Sequence, residues 1–76
     1  MPTLVFLPGL HGDAQTWDAV RRGLPPEVAC RAVDLPAVFD LDRLTYDVAA
    51  EVPPGSVVVG HSLGGVVAMN LADRHP

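Results

Sequence analysis

Apolar residues recur along this chain in a fixed order: a short unbroken run, a turn containing proline or glycine, then a stretch at helical spacing. Leu4-Val5-Phe6-Leu7 is stopped by Pro8-Gly9, as expected of a strand covered on both faces of a parallel sheet. Asp13 then stands where it can cap a helix with Trp17, Val20 and Leu24 on one face, ended by Pro25-Pro26. A second strand is predicted from Val28 to Val33, less covered than the first because Arg31 lies in its middle. Asp34-Leu35-Pro36 turns the chain, and Asp40 can cap a second helix striped by Leu41, Leu44, Val48 and Val52, before Pro53-Pro54-Gly55 stops it. Val57-Val58-Val59 forms the third strand and runs into Gly60. From Leu63 to Arg74 the spacing is helical again, with Leu63, Val67 and Leu71 on one face and the small residues Gly64 and Ala68 beside them.

Three consecutive strand-then-helix units predict an α/β fold of three layers, α/β/α: a parallel sheet of about three strands, first strand central, with right-handed crossovers and helices on both faces. An all-valine third strand is expected to be buried on both faces and paired along both edges. Within this chain one of its edges has no partner, so either another subunit covers it or the sequence continues past Pro76.

Bulk properties narrow the function more than the fold. A chain of 76 residues makes one small domain and buries only ~60% of the surface it exposes when unfolded. Hydrophobic residues are 49% and charged residues 18%, a globular balance. The net charge is −4 and the five basic residues, Arg21, Arg22, Arg31, Arg43 and Arg74, are scattered, which disfavours nucleic acid and anionic membranes as partners. The single cysteine, Cys30, lies in the second strand and is expected to be a buried, inert thiol. Leu4 to Leu7 is too short for a signal-peptide core or a membrane span, so a cytoplasmic location is expected. His11, His61 and His75 lack partners at zinc spacing, and no metal or other cofactor is expected.

Candidate chemistry lies between the third strand and the third helix, where Gly60-His61-Ser62-Leu63-Gly64 fits G-x-S-x-G. A turn sharp enough to lift the serine hydroxyl above the sheet holds Ser62 at positive φ, a strain of ~1–3 kcal/mol. Side chains two positions away would collide there, hence Gly60 and Gly64, with Gly65 expected to give the helix further room. The positive end of the helix dipole favours negative charge developing nearby.

Val57-Val58-Val59-Gly60-His61-Ser62-Leu63-Gly64-Gly65 closely resembles the nucleophile segment of the α/β-hydrolase family. Leu4 to Trp17 is similar to a second family segment, in which an apolar strand ends in a His-Gly-x loop with a tryptophan nine positions on. This chain has Pro8-Gly9-Leu10 with Trp17 nine positions after Pro8. The resemblance implies a serine hydrolase with Ser62 as nucleophile, the backbone N–H groups of Leu10 and Leu63 as oxyanion hole, and Trp17 as a core residue. Asp34-Leu35-Pro36 resembles a further segment, but continues Ala37-Val38-Phe39-Asp40 where the family usually has Gly-x-Gly.

The family order is serine, acid, histidine, and after Ser62 only Asp73 and His75 qualify. Both fall at the far end of the helix, ~16–20 Å from its start, too far for a general base. His61 adjoins the serine but points elsewhere from a sharp elbow, and is expected to be structural. A relay of Ser62, His11 and Asp34 is geometrically conceivable, since all three follow strands of one sheet. It competes with the use of the His11 loop for the oxyanion.

Residues 1–76 are therefore expected to be the amino-terminal part of one α/β-hydrolase domain, ending after the nucleophile helix and inactive alone. The complete protein would act on a small-molecule carboxylic ester or related acyl substrate. From a different class comes the alternative of a non-catalytic module that pairs with a partner through its bare strand edge.

Overall fold

A computed structural model describes residues 2–10, 13–37 and 40–74. Its elements are β1 (Leu4–Leu7), a 3₁₀ turn (Ala14–Trp17) running into α1 (Asp18–Arg22), β2 (Cys30–Ala32), α2 (Leu41–Ala49), β3 (Val57–Gly60) and α3 (Leu63–Arg74). The three strands are parallel in the order β2-β1-β3, with Leu4 opposite both Cys30 and Val57, and Leu7 opposite Gly60. β1 is central, as its apolar run requires.

Because side chains alternate along a strand, β1 feeds two cores. Val5 and Leu7, both fully buried, join Val33, Leu44, Val48, Val67 and Leu71 beneath α2 and α3. Phe6 points the other way and stacks on Trp17, ring centroids 4.9 Å apart. Helical segments thus cover both faces, and the fold is α/β in three layers.

Local chemistry starts each helix. The Asp13 carboxylate accepts from the Gln15 N–H at 3.0 Å while Thr16 Oγ1 accepts from the Asp13 N–H at 3.3 Å, a reciprocal cap. Asp40 accepts from the Arg43 N–H at 3.1 Å at the start of α2. Asp40→Ala in the complete protein is expected to lower stability by about 1 kcal/mol, read from denaturant unfolding, with no effect on catalysis.

Four expectations need correction. α1 buries no residue and lies against the turn before it, so Val20 is exposed; the 3₁₀ turn, with Trp17 on Phe6, makes the contact with β1 and β2. β2 is shorter than Val28–Val33, because the Val28 N–H is drawn into a turn by the Pro25 carbonyl. Cys30 is half-buried rather than buried, since β2 is an edge strand. Most consequential is β3, where Val57 is 46% exposed and Val58 and Val59 are only half-buried. α3 covers one face of β3, the 3₁₀ turn packs over β1 and β2 instead of its other face, and its outer edge is unpaired among the described residues. No helix of the described residues is long and apolar enough to cross a membrane.

Candidate active site

β3 hands over to α3 through His61 and Ser62. Among the described residues Ser62 alone, glycines aside, has positive φ, at 55°. That conformation is held from several sides. The His61 N–H donates to the Leu7 carbonyl at 3.1 Å, which ties the end of β3 to β1. Gly64, Gly65 and Val66 N–H groups donate to the carbonyls of His61 and Ser62 at 2.9–3.2 Å and close the first helical turn. The Leu63 N–H has no such backbone acceptor among the described residues, and is one of the donors that every helix start leaves free. With the Ser62 side chain exposed, a hydroxyl, a free amide and a helix N-terminus share one spot, a setting that favours negative charge.

Glycine is required at two of the motif positions. A Cβ on Gly60 would run into the Gly64 carbonyl, and one on Gly64 would lie 2.5 Å from the carbonyl oxygens of both Leu7 and Pro8. The first turn of α3 is therefore pressed directly on the carboxyl end of β1. Gly65 differs from expectation: a Cβ there would meet the Gly60 carbonyl at an ordinary 3.5 Å, because position 65 turns away from β1.

The loop after β1 reaches the same place. Pro8 and Gly9 are buried, and a Cβ on Gly9 would stand 3.1 Å from Ser62 Cβ and 3.2 Å from His61 Nδ1. Gly9 is the site residue that sequence reasoning passed over; its signal was a glycine two residues after a fully buried strand. Leu10 follows with its side chain 55% exposed. Gly9→Ala is expected to reduce turnover of the complete protein about tenfold or more by crowding Ser62. Steady-state kinetics beside an unfolding curve checks that the loss exceeds any effect on folding.

Of the remaining candidates among the described residues, His61 adjoins Ser62 in the elbow, whereas Asp34 and Asp73 belong to other parts of the fold. Asp73 is exposed in the last turn of α3, about 16 Å along the helix. His11 and His75 lie outside the described residues. Asp34 follows β2, on the far side of β1 from β3, and lines an open groove with Asp47 and Glu51. His61 is exposed, beside Gly9. Among the described residues no three His, Cys, Asp or Glu side chains are grouped so that they could hold a metal ion.

A strained serine between a parallel strand and a glycine-bearing helix, seated against the loop after the first strand, has counterparts in known proteins. The model of the alpha/beta hydrolase family matches residues 4–75. The pimeloyl-[acyl-carrier protein] methyl ester esterase of Klebsiella pneumoniae (strain 342) is 35% identical over 81 aligned residues, covering 96% of this chain and 32% of that protein. Its counterpart in Salmonella newport (strain SL254) is 33% identical over the same shares. The biotin biosynthesis bifunctional protein BioHC of Cellvibrio japonicus (strain Ueda107) is 34% identical over 99% of this chain and 16% of its own length. The chain spans about a third of the esterases it matches. By the family match along nearly its whole length, joined to the sheet order and the strained turn at Ser62, this chain belongs to the alpha/beta hydrolase family.

Proposed function

We propose that the complete protein is a cofactor-free serine hydrolase of carboxylic esters, and that residues 1–76 are the amino-terminal part of its single catalytic domain. One observation carries the reading: Ser62 is exposed and held at φ 55° at the mouth of α3, and strain of this kind persists only where the surroundings over-determine it. The names of the relatives support an ester substrate; an acyl group carried as a small ester fits best.

In this mechanism Ser62 Oγ attacks the acyl carbon and gives its proton to a histidine supplied by the rest of the protein. The Leu10 and Leu63 N–H groups stabilise the tetrahedral oxyanion, each worth ~3–4 kcal/mol of barrier. The ester C–O bond breaks, the alcohol leaves with that proton, and water then hydrolyses the acyl-enzyme by the same route. An acid beyond residue 76 orients the histidine, and further strands cover the bare edge of β3. The scattered arginines argue against nucleic-acid or membrane partners, and the unpaired Cys30 suits a reducing, cytoplasmic compartment.

A fluorophosphonate probe is expected to label the complete protein at Ser62, and neither the Ser62→Ala variant nor residues 1–76 alone. Labelling that survives Ser62→Ala would sink the assignment. The exposed Val57 and open edge of β3 favour a second reading, a non-catalytic module completed by a partner. A monodisperse oligomer of the 76-residue chain, with no esterase activity in the longest native product, would establish that reading instead.

A further inference from the structure

α3 carries the elbow at one end, and its contact with α2 is largely apolar: Val67 and Leu71 against Leu44 and Val48. Such packing is non-directional and leaves a helix some freedom to slide or roll. One polar feature removes it. Thr45, 1% exposed in α2, donates its hydroxyl to the Leu41 carbonyl at 2.8 Å and accepts the Asn70 Nδ2–H from α3, also at 2.8 Å. The same Asn70 amide reaches Asp42 Oδ1 at 3.3 Å, and that carboxylate is 3.1 Å from the Arg74 guanidinium. No other hydrogen bond or ion pair joins the two helices among the described residues.

We propose that Asn70 is a positioning residue, which through buried Thr45 locks α3 onto α2 and so fixes Ser62 and the Leu63 N–H above the end of β1. On the opposite side Gly64 is already pressed on the carbonyls of Leu7 and Pro8, so α3 is gripped between a backbone contact and a directional hydrogen bond. Asn70 stands eight residues after Ser62, about 12 Å along a rigid helix, and a shift at one end is carried to the other. The inference rests on Ser62 being the nucleophile.

Its test uses the complete protein and compares Asn70→Ala and Thr45→Val, which each remove the bond, with Thr45→Ser, which keeps the hydroxyl. The expected result is a fall in kcat of about tenfold or more for the first two, with KM within about twofold, at a temperature where circular dichroism shows them folded. Thr45→Ser should retain at least half the parent kcat, and the double variant Asn70→Ala/Thr45→Val should lose no more than Asn70→Ala alone, since Thr45→Val deletes a link that Asn70→Ala has already removed. An unchanged kcat in whichever bond-deleting variant folds, or a rise in KM alone, overturns the proposal. Ser62→Ala is run alongside: if that variant stays active, the nucleophile assignment fails, whereas an inactive Ser62→Ala beside an unaffected Asn70→Ala fails only the positioning role.

Discussion

Ester hydrolysis by the complete protein is expected to fall by a factor on the order of 10⁵–10⁶ when Ser62 becomes alanine, because the first bond to the acyl carbon can no longer form. Substrate binding should survive, since the Leu10 and Leu63 amides proposed for the oxyanion are backbone groups that the substitution leaves in place. Stability supplies an independent reading of the same residue. At φ 55° any side chain with a Cβ meets the following carbonyl, a penalty of roughly 1–2 kcal/mol that glycine escapes. Ser62→Gly should therefore be inactive yet about 1 kcal/mol more stable than Ser62→Ala. Kinetics and paired denaturation curves measure both effects. Equal stability of the two variants would mean that the elbow is relaxed in solution.

Gly64→Ala should, with Gly60→Ala, be one of the two most damaging methyl additions among the described glycines. Its Cβ would lie 2.5 Å from two backbone oxygens, those of Leu7 and Pro8, in the middle of the central strand's end. Backbone cannot turn aside as a flexible side chain can, so α3 must lift from the sheet, carrying Ser62 and the Leu63 amide with it. A loss of about 3 kcal/mol or more is expected, together with collapse of activity in whatever protein still folds. Gly65→Ala is the matched control, one residue further along the same helix. The methyl there makes an ordinary 3.5 Å contact, and alanine is the better helix former by up to about 1 kcal/mol, so that variant should be neutral or more stable. Thermal unfolding of the pair measures the grip of β1 on α3.

This contrast marks where sequence reading reached its limit. G-x-S-x-G pointed to both flanking glycines, Gly60 and Gly64, and Gly65 beside them was expected to give the helix further room. Which of them meets backbone depends on the rotation of α3 over β1, and rotation is set by packing rather than by spacing. Val20 is a similar case. Its position three residues after Trp17 suits a buried helical face, yet α1 buries none of its residues and Val20 is exposed. Val57 and Val59 read as core because valine runs fill central strands; here they sit on a strand that is at the edge, with Val57 exposed and Val59 half-buried, among the described residues.

By itself the sequence determined the alternation of strands and helices, the caps at Asp13 and Asp40, the central place of β1 and the bend at Ser62. Each of these is encoded within a few neighbouring residues, through apolar period, side-chain hydrogen bonding to nearby amides or the absence of a Cβ. Tertiary structure alone decided that Gly9 touches Ser62, that Thr45 and Asn70 join helices from positions 25 residues apart, and that Val57 of β3 is exposed. Those contacts arise only when segments distant along the chain are brought to one place, and no local pattern carries the distance between them.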